Sequence, residues 1–150
     1  MSTRSVGRMQ QVADELAIRN LLARIAQLAD WGTVEECAAC YAEDAVWSMP
    51  ASPVVGLPAS ELRGRDAIVA GIRERRAAGV QGPGARNRHL LTSVFVDFDT
   101  DDRATVHSAF LFVDETVSPP VLKSSGRYVD VVRRVGTEWK LAERQIVLVG

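Results

Sequence analysis

The chain has 150 residues, 47% hydrophobic and 25% charged, with a formal net charge of −1. That length fits one domain with a sizeable core, and the near-neutral balance gives no general electrostatic pull toward nucleic acid or an anionic membrane. No apolar run is long enough for a membrane span, and the opening Met1-Ser-Thr-Arg-Ser-Val-Gly-Arg8 lacks a hydrophobic signal segment, so a cytoplasmic protein is expected.

Residues 1–10 read as a tail, followed by a single domain over 11–150. Val12, Leu16, Leu21, Leu22, Ile25 and Leu28 recur at three- and four-residue spacing, which predicts an amphipathic helix ending near Asp30 and broken at Gly32. Thr33-Val-Glu-Glu36 has the form of a capping box. It opens a second helix, predicted to run to about Ala42 and to bury Val34, Cys37 and Tyr41. Cys37 and Cys40 form a C-x-x-C pair, but no second Cys or His pair lies near and structural zinc takes four ligands. They read as small core residues, and no metal site or nucleotide fingerprint appears. The first strand is predicted to begin at Ala45-Val-Trp-Ser-Met49. Pro50, Pro53 and Pro58 then turn Met49 to Ser60 into an apolar loop or edge hairpin. A third helix opens at Gly64-Arg-Asp-Ala-Ile68 with Ile68, Val69 and Ile72 inward, and Arg73-Glu-Arg-Arg76 reads as its solvated face. Gly79, Gly82, Pro83 and Gly84 end it in a connection.

The second half reads as strands. From Arg88 to Phe98, simple alternation puts His89, Leu91, Ser93 and Phe95 on one side and Leu90, Thr92, Val94 and Val96 on the other. Ala104 to Asp114 follows a turn at Asp99–Asp102, with His107, Ala109, Leu111 and Val113 on one face. Ser118-Pro-Pro120 makes another connection. Leu122 to Val135 and Trp139 to Val149 are two further strands joined at Gly136-Thr137. Helices first and meandering strands after predict an α+β fold, with helices on one face of a curved, mainly antiparallel sheet.

Asp30 followed eleven residues later by Tyr41-Ala-Glu-Asp-Ala-Val-Trp47, then Gly64-Arg-Asp-Ala-Ile68, Arg88-His89-Leu-Leu-Thr92 and Trp139-Lys-Leu-Ala-Glu-Arg-Gln-Ile146, resembles the SnoaL-like group of the NTF2-like superfamily. The resemblance covers about Val12 to Val149. It implies a cone of three helices against a strongly bent, mixed sheet of about six strands around one apolar cavity. Relatives similar to scytalone dehydratase and the bile-acid dehydratases carry an Asp at the position of Asp30 and a His at that of His89. The bile-acid enzymes add an Arg matching Arg144, and scytalone dehydratase a second histidine for which His107 is the candidate. The resemblance also implies a homodimer covering the convex side of the sheet, with Val129, Val131 and Val135 as apolar contacts.

Elimination of water from a β-hydroxy carbonyl compound needs a base for the α-proton, a stabiliser for the enolate and an acid for the leaving hydroxyl. Imidazole titrates near neutrality, a carboxylate on its other nitrogen fixes the tautomer, and an Arg or a phenol can hold the enolate oxygen. His89 is thus the candidate base and later acid, Asp30 its orienting partner and Arg144 an oxyanion or carboxylate contact. Tyr41 and Tyr128 are candidates to polarise the carbonyl, and Trp47, Phe110 and His107 to contact substrate. Each has a structural alternative: a solvated helix end for Asp30, a satisfied strand histidine for His89, backbone-partnered packing for His107, core packing for Trp47 and Phe110, and an exterior pairing with Asp130 or Glu143 for Arg144. The chain departs from the dehydratases in lacking a tyrosine beside the helical Asp, where Ala29 and Ile25 stand. Isomerase or cyclase chemistry therefore stays open.

The resulting expectation is a cofactor-independent lyase or isomerase acting on a small apolar carbonyl compound, such as a polyketide, steroid-like or aromatic intermediate. The alternative is a non-catalytic binding protein or accessory subunit on the same scaffold.

Overall fold

The computed structural model describes residues 3–53, 56–114 and 119–148. Parts of the Met49–Ser60 loop, Ser118 and Val149 lie outside the described residues.

Helix α1 spans Thr3–Trp31, so residues 3–10, expected as a tail, are helical. Leu22 and Ile25 face inward as expected and Leu21 and Leu28 pack on the core, but the inward stripe begins at Asp14 and Ile18, while Val12 and Leu16 are 68% and 60% exposed. Asp14 decides the phase. Its carboxylate accepts from the Trp139 indole at 3.0 Å and pairs with Arg134 at 2.8 Å, so this polar residue takes an inward place and turns Val12 and Leu16 outward.

The capping box forms as expected, Thr33 Oγ1 accepting from the Glu36 amide and the Glu36 carboxylate accepting from the Thr33 amide. Helix α2 covers only Val34–Ala39, and strand β1, Tyr41–Met49, starts earlier than Ala45. The Leu141 amide donates to the Cys40 carbonyl at 2.9 Å and Tyr41 pairs with Leu141. That sheet contact captures the chain before the helix can extend to Ala42. Both cysteines are buried and free, their thiols pushed up by burial.

Strand β2 is Ser60–Arg63 and helix α3 Arg65–Ala77. Strands β3 (Asn87–Thr100), β4 (Arg103–Asp114), β5 (Val121–Val135) and β6 (Glu138–Leu148) complete one sheet in the order β2-β1-β6-β5-β4-β3. Only β1 with β6 is parallel. Three helices packed on this curved, unclosed sheet form the α+β cone. No helix among the described residues is long and apolar enough to cross a membrane.

Bulges bend the sheet. The most consequential lies between Thr92 and Phe95, where Ser93 has φ 52°. His89 and Leu91 face inward before it; Val94, Val96 and Phe98 pack on the core after it, and Phe95 is left 60% exposed. The single alternating face expected for His89 through Phe95 is therefore broken by one residue. A second bulge at Val131/Val132 packs Val131 against the core, while Val129 stays half-buried and Val135 is 46% exposed. The core joins Ile18, Leu22 and Ile25 of α1 and Ile68 and Ile72 of α3 to Val106, Val132 and Leu141 of the sheet. Each wholly buried aliphatic side chain there stabilises the fold by roughly 1.5–3 kcal/mol.

Candidate active site

The end of α1 is pinned. The Leu28 carbonyl accepts from the Gly32 amide at 2.9 Å, from Arg76 Nη2 at 3.1 Å and from the Cys37 thiol at 3.3 Å. These partners satisfy a helix C-terminus that would otherwise be buried with open acceptors. Two residues on, Asp30 is 1% exposed. A carboxylate in the last turn opposes the helix dipole, and the compensation comes from β3. The His89 amide donates to Asp30 Oδ2 at 2.9 Å, and His89 Nδ1 lies 2.7 Å from Oδ1.

A carboxylate accepts, so a neutral His89 carries its proton on Nδ1 and presents the Nε2 lone pair on the opposite side. Nε2 has no hydrogen-bond partner among the described residues. The ring packs on Phe112, centroids 4.7 Å apart, and is 19% exposed against 1% for the Asp30 side chain. What little of the pair is accessible therefore belongs to the imidazole.

His89 lines a cavity of two lobes, each of about 70 Å³. Trp47, Arg75, Gln81, His89, Tyr128 and Ile146 border both lobes. Tyr41 and Arg144 close the first; Met49, Ser52, Leu57, Val80, Phe110 and Phe112 line the second. The Met49–Ser60 loop and the glycine-rich connection after α3 thus both supply walls.

Arg144 is held on Asp130 by two hydrogen bonds, Nε to Oδ1 at 2.8 Å and Nη2 to Oδ2 at 2.7 Å. Both side chains are buried, and the guanidinium lies 4.0 Å from the Tyr128 ring centre. Burial pulls its pKa down, but the Asp130 carboxylate more than reverses this, so the net shift is upward and the charge is permanent. The exterior pairing considered for Arg144 is thus an interior one, with Asp130 the partner. Its Nη1 makes no hydrogen bond among the described residues.

Tyr128 stacks on Phe110 at 4.5 Å. Burial pushes its phenol up to about 12, with the Arg144 charge acting the other way, and burial raises Tyr41 as well. Both phenols stay protonated at neutral pH, neither has a hydrogen-bond partner among the described residues, and both border the cavity. Each is a donor in reserve.

Asp30, His89, Arg144, Tyr41, Trp47, Phe110 and Tyr128 are therefore brought to one interior. His107 is not. Strand alternation places it on the outer face, exposed, its ring 6.4 Å from that of Phe95. The inward neighbours on β4 are Val106, Ser108 and Phe110.

Arg75 and Gln81 are wall residues that the sequence does not single out. Arg75 belongs to the Arg73–Arg76 run that reads as a solvated face, yet it follows Ile68 by seven residues and Gly71 by four, the spacing of the buried face of α3. Its guanidinium lies 4.6 Å from the Trp47 ring centre. A Cβ at Gly71 would come within 3.1 Å of Arg75 Nη1, so the missing side chain leaves it room. Arg76 of the same run turns inward as well, toward Leu28 and Cys37. Gln81, buried in the glycine-rich connection, carried no pattern to mark it.

Three helices on a curved, unclosed six-stranded sheet give the chain an NTF2-like, cystatin-like fold. Residues 10–145 match the model of the SnoaL-like domain, and the chain belongs to that family. Among solved structures, an NTF2-like protein with a cystatin-like fold from Novosphingobium aromaticivorans superposes with a TM-score of 0.81 at 24% identity, covering 99% of this chain and 90% of that one. A putative scytalone dehydratase from the same organism gives 0.77 at 22% identity over 95% and 89%. LinA gives 0.75 at 15% identity over 95% and 90%. At these identities the likeness establishes the fold. No curated protein matches the chain in sequence.

Proposed function

We propose that the protein is a cofactor-independent lyase or isomerase that moves a proton on a small, largely apolar carbonyl compound, with His89 as base and acid and Asp30 as its orienting partner. The observation that carries this reading is the 2.7 Å contact between His89 Nδ1 and a wholly buried Asp30, which leaves Nε2 to the cavity. The scytalone dehydratase-like structure among the neighbours is in keeping with it.

In the proposed step, Nε2 takes the proton from the carbon next to the carbonyl. The electron pair moves onto the carbonyl oxygen, and a phenol of Tyr128 or Tyr41, or Arg144 Nη1, donates to that oxygen. The imidazolium, held by the Asp30 carboxylate, returns its proton. Delivered to a β-hydroxyl, it expels water as the enolate collapses; delivered to a different carbon, it completes an isomerisation. The wall that α1 offers beside Asp30 is Ile25, Ala26 and Ala29, with no hydroxyl to assist a leaving group. That wall equally suits the second reading, a small-molecule-binding protein or accessory subunit without catalysis.

Product formation on a panel of β-hydroxy ketones and β,γ-unsaturated ketones separates the two. Turnover by the native protein that falls by about 10²–10⁴-fold in His89→Ala supports the enzyme. Turnover at the native rate in that variant removes the mechanism.

A homodimer belongs to the same proposal. Phe95, His107 and Val129 stand in one row across the outer face of β3, β4 and β5, and Leu90 pairs with Leu111 beside them. Phe95 is 60% and Leu90 49% exposed, an apolar strip that a second copy would cover. Sedimentation is expected to give twice the chain mass; a monomer at micromolar concentration contradicts it.

A further inference from the structure

Two arginines border the cavity, and their electrostatic situations differ. Arg144 is committed to Asp130 through two hydrogen bonds, so that pair is neutral as a unit. Arg75 has no such partner. None of its nitrogens takes part in a hydrogen bond or ion pair with a described residue, and its Nε is fully shielded from solvent. The other arginines on this helix find partners, Arg65 on Glu43, Arg73 on Glu35 and Arg76 on the Leu28 carbonyl. Arg75 is half-buried; a guanidinium partly withdrawn from water without a counter-charge carries a cost, and here burial lowers its pKa. Partial compensation comes from the face of Trp47 at 4.6 Å and, without contact, from Tyr41 and Glu74.

The surroundings narrow what would complete it. Arg75 borders both lobes, as do Gln81 and His89. Gln81 is buried, and its side-chain amide makes no hydrogen bond among the described residues. A guanidinium fork with an amide donor on the same wall matches a planar carboxylate. The Trp47 face and the Phe110–Tyr128 stack offer the carbon skeleton an aromatic bed.

We propose that the ligand of this cavity carries a carboxylate, bound by Arg75 with Gln81 beside it, on an apolar or aromatic skeleton that reaches His89. Arg75 is then a specificity-determining residue. It selects acids over their neutral analogues and sets which carbon faces Nε2. The inference rests on the cavity being the reaction site, and it concerns binding, so it can fail or stand apart from the catalytic role of His89.

The test compares 3-phenylpropanoate with its neutral isostere 3-phenylpropanamide, titrated against the native protein by calorimetry. The acid is expected to bind roughly ten- to hundred-fold more tightly than the amide, the range of a charge-assisted hydrogen-bonded pair. In Arg75→Gln that ratio is expected to fall to about one, with the amide's affinity retained. Arg75→Lys keeps the charge but not the fork, so an intermediate ratio is expected, and it serves if the glutamine variant does not fold. Equal affinities in the native protein, an undiminished ratio in both variants, or no binding of the acid below about 10 mM would each overturn the proposal. His89→Ala separates the two readings. A preserved acid preference with turnover lost supports both; native turnover with the preference intact removes only the catalytic one; turnover lost with no acid preference removes only this one.

Discussion

Replacing Asp30 by Asn changes one atom type at the base of the proposed mechanism and leaves the volume unchanged. In the native protein the carboxylate accepts twice from the same residue, from the His89 amide at 2.9 Å and from Nδ1 at 2.7 Å. An asparagine has one acceptor and one donor end. The backbone amide can only donate, so it claims the asparagine oxygen, and the NH2 end is left facing Nδ1. That nitrogen must then accept, the ring proton moves to Nε2, and the cavity meets an N–H where it had a lone pair. The same tautomer reversal in a serine-protease triad costs about 10⁴ in kcat, and general-base contributions span about 10²–10⁴. A loss of about 10²–10⁴-fold in turnover is therefore expected for Asp30→Asn. Stability falls by only about 1–3 kcal/mol, because charge-assisted bonds become neutral ones without leaving an orphan. Nitrogen-15 NMR of the histidine ring reads the tautomer without any substrate. The native protein is expected to show Nδ1 protonated and Nε2 bare at alkaline pH, and Asp30→Asn the reverse. An unchanged ring tautomer in the variant would refute the reasoning, whatever happened to the rate.

Three further outcomes follow from the packing. Asp130→Ala strands a buried guanidinium and is expected to cost about 3–5 kcal/mol, whereas Asp130→Leu combined with Arg144→Met restores most of that loss; urea unfolding that finds the double variant no better than the single one contradicts the pairing. Ser93 sits in the left-handed region at φ 52°, so Ser93→Gly is expected to stay within about 1 kcal/mol of native, while Ser93→Val loses about 1–2 kcal/mol; equal thermal midpoints for the two would argue against the bulge. Asp14 is pushed up by burial but pulled down further by hydrogen bonds from Trp139, Arg134 and Gln10, so its folded pKa is below its unfolded one. Its stabilising contribution is then fully present above about pH 4 and lost as pH falls through the folded value, and Asp14→Asn should flatten the acid side of the stability curve; an identical acid slope in the variant would be the contrary result.

Much of the architecture was legible because its signals are local. The capping box needs only Thr33 and Glu36, and helix-then-strand order with long meanders implies helices on one face of an antiparallel sheet. Asp30 and His89 were legible as a pair through the resemblance and by residue type. The phase errors had non-local causes. Val12 and Leu16 read as the buried stripe until Asp14 is seen to be claimed by Trp139 and Arg134, from the other end of the chain. Phe95 read as sharing a face with His89 because alternation carries no mark of the extra residue at Ser93. His107 was paired with the cavity by resemblance, while alternation with the inward Val106 and Ser108 places it outside. Arg75 is hidden by composition: a run of four charged residues suggests solvent, and its seven-residue separation from Ile68 is the signal that it faces inward.

The central claim is that Nε2 of His89 removes a proton from carbon inside the cavity. Incubation with a small aryl ketone in heavy water, followed by proton NMR, measures that event whether or not water or a double bond later moves. Deuterium is expected to enter the position next to the carbonyl with the native protein, and at least ~10²-fold more slowly with His89→Ala. Incorporation at equal rates in the two proteins would contradict the claim.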